Sequence, residues 1–224
     1  MTTMPDGWAA TLIGDLVASR RVADRRRLQR ELEGALSDVN RIFDPPHPLR
    51  PTVGDEFQGG FRSVAEATRA SLLLRLVLFD RGEVDSRYGL GYGPIAVLEG
   101  ASPGIEDGPG WWSARGAIDL AKLRASSPRT SFVRTGFDSW WRGSESVRLP
   151  DAPAMNAFLV CRDAIVDQMT PRSRRNLLGT LRGQSQAELA EREQVTQSAI
   201  SQDLGRSGAF AVEAAQRYLE EALV

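Results

Sequence analysis

From Trp8 to Arg134 the chain alternates short apolar runs with helical stripes, and that order limits the folds open to it. Trp8 to Ile13 reads as a strand running into Asp15. Asp24 opens a helix whose apolar positions Leu28, Leu32, Leu36, Val39 and Phe43 lie on one face, ended by the Pro-rich segment 45–48. Leu49–Val53 and Glu56–Phe61 flank Gly54-Asp55, a pairing that suits a two-residue hairpin. Ser63 and Glu66 have capping-box spacing for a helix to about Phe79. Arg87 to Tyr92 reads as a strand whose interleaved Gly89, Gly91 and Gly93 signal close approach by a ligand or by another backbone. A Gly/Pro-rich loop (102–110), a helix over 111–124 and a last strand over 131–134 follow. Strand, helix, hairpin, helix, strand, helix, strand predicts an α/β (α+β) unit of ferredoxin-like type. Its sheet is antiparallel and its helices pack on one face.

Two acids stand where this pattern leaves the sheet. Asp15 and Asp55 each follow a Gly at the end of an apolar run, and Glu56 is adjacent to the second. Neighbouring strand ends can bring such carboxylates together on a divalent cation, Mg²⁺ or Mn²⁺, which takes oxygen ligands. Ser19, Arg20 and the backbone after Asp15 are candidates to cradle a triphosphate, with Gly54 in the hairpin. Gly108 and Gly110 at a helix start offer an anion site, and Arg115 on that helix is the candidate catalytic clamp for phosphoryl charge. The competing reading of each Gly-Asp is a turn residue or helix cap. Trp111-Trp112 and Trp140-Trp141 are core or lid residues, or base-stacking platforms.

Composition excludes several classes. A formal charge of −1 over 224 residues gives no global pull toward nucleic acid or membrane. One histidine, His47, and one cysteine, Cys161, rule out His-based triads, disulfides within the chain and cysteine metal clusters. Cys161 lies in an apolar helical run and reads as a buried structural thiol. No apolar run approaches the roughly 20 residues that span a bilayer, so a cytoplasmic protein is expected.

After residue 150 the strand-like runs stop. We place a boundary there, with 1–150 as the first unit and 151–224 as a connecting helix plus a small all-α unit. Thr170-Pro171 begins a helix as N-cap and first position. Residues 183–191 and 195–204 have helix-turn-helix layout, with Ala190 allowing a close crossing. This stretch resembles the fourth-region DNA-binding domain of sigma factors. In such units the second helix enters the major groove, which would present Thr196, Gln197, Ser198, Ser201 and Gln202 to double-stranded DNA. Arg174 and Arg175 are candidate phosphate contacts. Residues 162–224 carry eight Arg against nine acids, so binding by a monomer is expected to be weak and salt-sensitive. A helix-turn-helix used only for packing or dimerisation is the alternative.

The ordered set Ile13-Gly14-Asp15-Leu16-Val17-Ala18-Ser19-Arg20, Gly54-Asp55-Glu56-Phe57-Gln58-Gly59, Tyr88-Gly89-Leu90-Gly91-Tyr92-Gly93, Asp107-Gly108-Pro109 and Ala114-Arg115 resembles the SatD family. More distantly it is similar to class III nucleotidyl cyclases and GGDEF-type cyclases. That resemblance implies a palm domain, metal-binding Asp15 and Asp55, a phosphate-steadying Arg115, and a homodimer with sites shared between subunits. The chain departs from the cyclase pattern at Trp111, where those enzymes carry Asn, and at Pro51, where they carry a base-selecting Lys. Val53 stands where GGDEF enzymes have a further glycine. The main expectation is a DNA-binding regulator whose palm domain binds a nucleoside triphosphate or other nucleotide with a divalent metal. The alternative is an active nucleotidyl cyclase or nucleotide polymerase, a metal-dependent nucleotidyltransferase whose tail localises or dimerises it.

Overall fold

The computed structural model describes residues 7–19, 24–82, 84–98, 105–140 and 151–222. Its first part runs β1 (Trp8–Leu16), α1 (Arg25–Phe43), β2 (His47–Pro51), β3 (Glu56–Phe61), α2 (Val64–Gly82) and β4 (Ser86–Pro94). A small hairpin, β5 (Ala96–Leu98) and β6 (Ile105–Asp107), leads to α3 (Pro109–Ala125) and β7 (Thr135–Ser139). The rest is helical: α4 (Ala152–Gln168), α5 (Pro171–Leu181), α6 (Gln186–Glu193), α7 (Gln197–Arg206) and α8 (Ala209–Ala222).

The large sheet has the order β2-β3-β1-β4-β7. The first four strands are antiparallel neighbours, as expected. β7 pairs parallel to β4, which corrects the expectation of a wholly antiparallel sheet. Parallel neighbours need a crossover, and α3 supplies it.

That crossover also corrects the expected placement of helices. Along β1, Ala10, Leu12 and Leu16 enter the core shared with α1 and α2, whereas Ile13 packs with Trp111, Ala114 and Ile118 of α3. Alternate residues of a strand point to opposite faces. So α1 and α2 cover one face and α3 the other. The glycines of β4 answer to α3: a Cβ at Gly89 would stand 2.0 Å from the Ala114 carbonyl oxygen, and one at Gly91 2.3 Å from that of Gly110. The close approach is by a helix backbone rather than a ligand. Thr11 Oγ1 fastens the same contact by donating to the Gly110 carbonyl at 2.7 Å.

β7 is the outer strand, and α4 covers its open edge. The Asn156 amide donates to the Phe137 carbonyl at 2.8 Å and accepts the Phe137 N–H at 3.2 Å. Asp163 accepts the N–H groups of Arg134 and Thr135 at 2.8 and 2.7 Å. An edge satisfied this way cannot recruit another strand. Two arginines are buried between α2 and α4, Arg75 of α2 at 1% and Arg162 of α4 at 3% exposure. Arg75 pairs with Asp85 at 2.9 Å, while Arg162 donates to the Thr68 carbonyl at 3.0 Å and Thr135 Oγ1 at 2.7 Å. Cys161 is exposed, against expectation. It lies about 200° around α4 from Leu159, on the face away from the buried Met155, Leu159, Arg162, Asp163 and Val166.

The helices beyond residue 150 are not detached from the sheet unit. One apolar core runs from β1 through α2 into Leu177, Leu178, Leu189, Ile200, Leu204 and Val212. Arg69 donates to the Leu181 carbonyl at 3.0 Å, and Gln216 to that of Ala65 at 3.1 Å. Thr170 caps α5, and Ser185 with Glu188 forms a capping box on α6. Gln194, with φ 54°, ends α6 in the left-handed region, and Thr196 caps α7 two residues later. Among the described residues no helix is long and apolar enough to cross a membrane.

Candidate functional site

Strand register assembles the site. Asp15 of β1 faces Glu56 across the ladder to β3 and Arg87 across the ladder to β4. Directly opposed residues share a face, so Glu56, Asp15 and Arg87 form one row on the α3 side. Two residues of α3, seven positions apart and therefore stacked about two turns apart, lie over that row. Lys122 Nζ is 2.9 Å from Asp15 Oδ2, and Arg87 Nε is 3.3 Å from Asp15 Oδ1. Arg115 grips both Glu56 oxygens, at 3.0 and 2.9 Å. Hydrogen bonding from Arg115 holds the Glu56 carboxyl below its ordinary range despite the opposing pull of partial burial, and Lys122 acts in the same direction. The same bond raises the Arg115 pKa.

Asp55 has a different partner. It ends the turn between β2 and β3, where Gly54 takes φ +73°. The connection is four residues long rather than two, closed by the Thr52 N–H donating to the Glu56 carbonyl at 2.9 Å. Ser19, 3% exposed, donates its hydroxyl to Asp55 Oδ2, and its carbonyl accepts from Arg25 at 3.0 Å. A recess of about 180 Å³ opens beside Gly54 and Asp55, walled by Leu16, Arg25, Leu28 and Leu32 on the α1 side. A larger groove of about 720 Å³ lies between α3 and α4 and is lined by none of these acids.

The acids predicted to hold a divalent ion are therefore already committed. Asp15 carries Lys122, Glu56 carries Arg115, and Asp55 accepts from Ser19. Among the described residues, no three His, Cys, Asp or Glu gather where they could hold a metal. Asp15 Oδ1 is buried and has no hydrogen bond, though it lies within ion-pair distance of Arg87. The donor set as arranged does not fit a preformed Mg²⁺ or Mn²⁺ site.

The remaining predicted nucleotide contacts separate. Gly108 is the N-cap of α3, with φ 127°, and Gly110 lies in its first turn against Gly93 and Thr11. Lys122 is fourteen residues further on, about 21 Å along the helix. The acidic row thus spans the middle and C-terminal part of α3, with Arg115 about 10 Å and Lys122 about 21 Å along the helix from Gly108. Arg20 and Trp141 lie outside the described residues. Trp111 is core, packed with Ile13 and Ile118. Trp112 is half exposed, meets Trp140 edge-on at 5.6 Å and donates its indole N–H to Asp107 at 2.8 Å.

In the tail, Gln197, Ser198 and Gln202 are exposed, Ser201 is half buried, and Ile200 and Leu204 face inward. Thr196 uses its hydroxyl to accept the Ala199 N–H at 3.2 Å. Arg174 is tied to the end of α4, donating to the carbonyls of Val166 and Asp167 at 3.2 and 3.0 Å over the Phe79 ring. Arg175 pairs with Glu193 at 3.2 Å. Both arginines predicted to meet phosphate have partners inside the fold.

Sequence reasoning missed Lys122 and Arg87. Lys122 is legible as the residue seven after Arg115, on the same helix face. Arg87 needed the register, which no local pattern states.

With this geometry in place, the comparisons give the chain its family. The SatD family matches residues 9–130, more than half the chain, and the chain belongs to that family. Similar solved structures include a bacterial light-regulated adenylyl cyclase, with 15% identity and TM-score 0.41 over 55% of this chain and 42% of that one. The guanylyl cyclase Cya2 shares 13% identity at TM-score 0.42, covering 50% and 70% respectively. The non-canonical dimeric guanylyl cyclase domain of the RhoGC fusion protein from the aquatic fungus Blastocladiella emersonii shares 13% at TM-score 0.40, covering 50% and 74%. The chain thus spans less than half of the first of these structures. No curated protein matches it.

Proposed function

We propose that this SatD-family chain is a cyclase-like nucleotide-handling protein that receives the phosphates of a nucleoside triphosphate where β1, β3 and β4 meet α3. The observation that carries the reading is the convergence of Arg87, Arg115 and Lys122 on one row of two carboxylates. Guanidinium groups bind phosphate oxygens in pairs, as Arg115 already binds Glu56. Arg115, 44% exposed, is the cation best placed to meet charge developing on a transferring phosphoryl group. Asp15 and Glu56 hold the cations in position while the site is free. Nucleotidyl transfer or cyclisation is the activity this arrangement serves, with the C-terminal helices as an attached localising or dimerising module.

The test is titration of the full chain with fluorescent ATP and GTP analogues, each with and without Mg²⁺ or Mn²⁺, followed by chromatography for product. Saturable binding that weakens in Arg115→Ala supports the reading, and a product lost in the same variant adds turnover. Failure of both nucleotides to bind at millimolar concentration removes it.

A second reading follows from α7. Its residues Gln197, Ser198 and Gln202 form an exposed polar face after the left-handed turn at Gln194, which is what a major-groove reader requires. Under it the protein is a nucleotide-responsive DNA-binding regulator with a helix-turn-helix unit at 151–224. With Arg174 and Arg175 engaged elsewhere, affinity rests on a homodimer presenting two such helices. A gel shift on double-stranded DNA, with and without nucleotide, separates this reading from the first.

A further inference from the structure

We propose that Lys122 is a built-in cation that fills the ion position beside Asp15 and keeps divalent metals out of the site. Lys122 is the single lysine in a chain with 28 Lys plus Arg. Its Nζ is 2.9 Å from Asp15 Oδ2 and 3.9 Å from Asp119 at the rim. An ammonium is a compact point charge on a flexible stem, whereas a guanidinium is a broad plane. Lysine is therefore the basic side chain that can stand in for a small ion at one oxygen.

The two cannot coexist there. Mg²⁺ binds carboxylate oxygen at roughly 2.0–2.1 Å, so an ion on Asp15 Oδ2 would displace the ammonium. The charge already present gives it no net attraction either. Arg87, Arg115 and Lys122 balance Asp15, Glu56 and the rim Asp119, so the row is already neutral before any metal arrives. Both Glu56 oxygens are held by Arg115, which removes the neighbouring ligand.

What would happen without the ammonium is also visible. Asp15 Oδ1 is buried and lacks a hydrogen bond, and the residue is 8% exposed. Neutralising Lys122 would leave this nearly buried carboxylate with only the 3.3 Å ion pair to Arg87 and no partner on Oδ2, which is costly unless another cation takes that place. A divalent ion, which takes carboxylate oxygens, is one such cation. The inference does not rest on nucleotide binding, because metal alone is the probe.

The experiment is Mn²⁺ binding to the full chain by electron paramagnetic resonance, with folding checked by circular dichroism. Wild type is expected to show no Asp15-dependent binding. Lys122→Met and Lys122→Gln should each gain one Mn²⁺ per chain, bound roughly tenfold or more tighter than by wild type, and Lys122→Arg should gain none. Adding Asp15→Asn to Lys122→Met should abolish the gain. The Lys122 side chain is 32% exposed, so acetylating folded wild type with an N-hydroxysuccinimide ester removes the same charge without a substitution, and Lys122→Arg treated identically controls for the α-amine. This keeps the test decisive if the variants fold poorly. Mn²⁺ binding by wild type that is lost in Asp15→Asn overturns the proposal. So does the absence of any gain in the folded neutral variants or the acetylated chain.

Discussion

Asp15 and Glu56 stand opposite each other in the β1–β3 ladder, and one helix holds both: Lys122 binds Asp15 and, two turns earlier, Arg115 binds Glu56. The helix thus acts as a clamp on a pair of acids that would otherwise repel. Its two contacts differ in exposure. Arg115 and Glu56 are 44% and 29% exposed, whereas Asp15 is 11% exposed at the side chain.

Glu56→Gln releases Arg115 while removing little stability. An ion pair this exposed contributes about 0–1 kcal/mol. The melting temperature should fall by only a few degrees. If Glu56 competes with phosphate for Arg115, the variant should bind a labelled nucleotide more tightly than wild type, measured by the same fluorescence titration.

Acid should weaken the protein through Asp85. Burial alone would raise its pKa, but Arg75 and Arg134 outweigh that and hold it below the ordinary carboxylate value. A depressed carboxyl contributes stability that is present above the unfolded value and lost as pH falls through the folded one. Glu56 has the same sign. Urea unfolding should therefore give a stability flat with respect to these groups from pH 8 to 5 and declining below about pH 4. Asp85→Asn should lower stability at pH 7 by about 3 kcal/mol, because it strips a partner from the buried Arg75, and should flatten the acid limb.

Two glycine substitutions separate packing from propensity on the α3 layer. Gly89→Ala puts a methyl 2.0 Å from the Ala114 carbonyl oxygen and 2.4 Å from the Ile118 nitrogen. Backbone on both sides cannot yield cheaply, so a loss of about 3 kcal/mol is expected. Gly116→Ala meets nothing within 4 Å. It should stabilise the helix by about 0.5–1 kcal/mol. Thermal melts of the pair should move in opposite directions.

Arg174→Ala discriminates a fold role from a DNA role. Its guanidinium binds the last carbonyls of α4 and covers Phe79. The variant should melt earlier whether or not DNA is present. Gln202→Ala, on the exposed face of α7, should leave the melting temperature unchanged and alter only a gel shift.

Much of the fold was legible because periodicity reports local partners. The stripe Leu28, Leu32, Leu36 and Val39 is buried as spaced, and the strand-helix-hairpin-helix order holds through β4. The crossover was not legible. Nothing in Gly89 or Gly91 says whether the backbone they admit is a ligand's or a helix's, and nothing in Thr135–Ser139 states that it runs parallel to β4. β6 was hidden in the Gly/Pro-rich stretch 102–110 read as loop, and β5 and α8 were not anticipated. At the site, Asp15, Asp55, Glu56 and Arg115 could be picked by their neighbours in sequence. What they bind could not, since Lys122 and Arg87 reach Asp15 only through helix phase and strand register.

The most direct test of the account is the affinity of the full chain for a fluorescent nucleoside triphosphate, compared with Arg115→Ala and Arg87→Ala. The account predicts saturable binding in wild type that weakens by roughly tenfold or more in each variant, a loss in the range of a charge-assisted hydrogen bond. Binding that is absent in wild type, or equal in all three proteins, would contradict it.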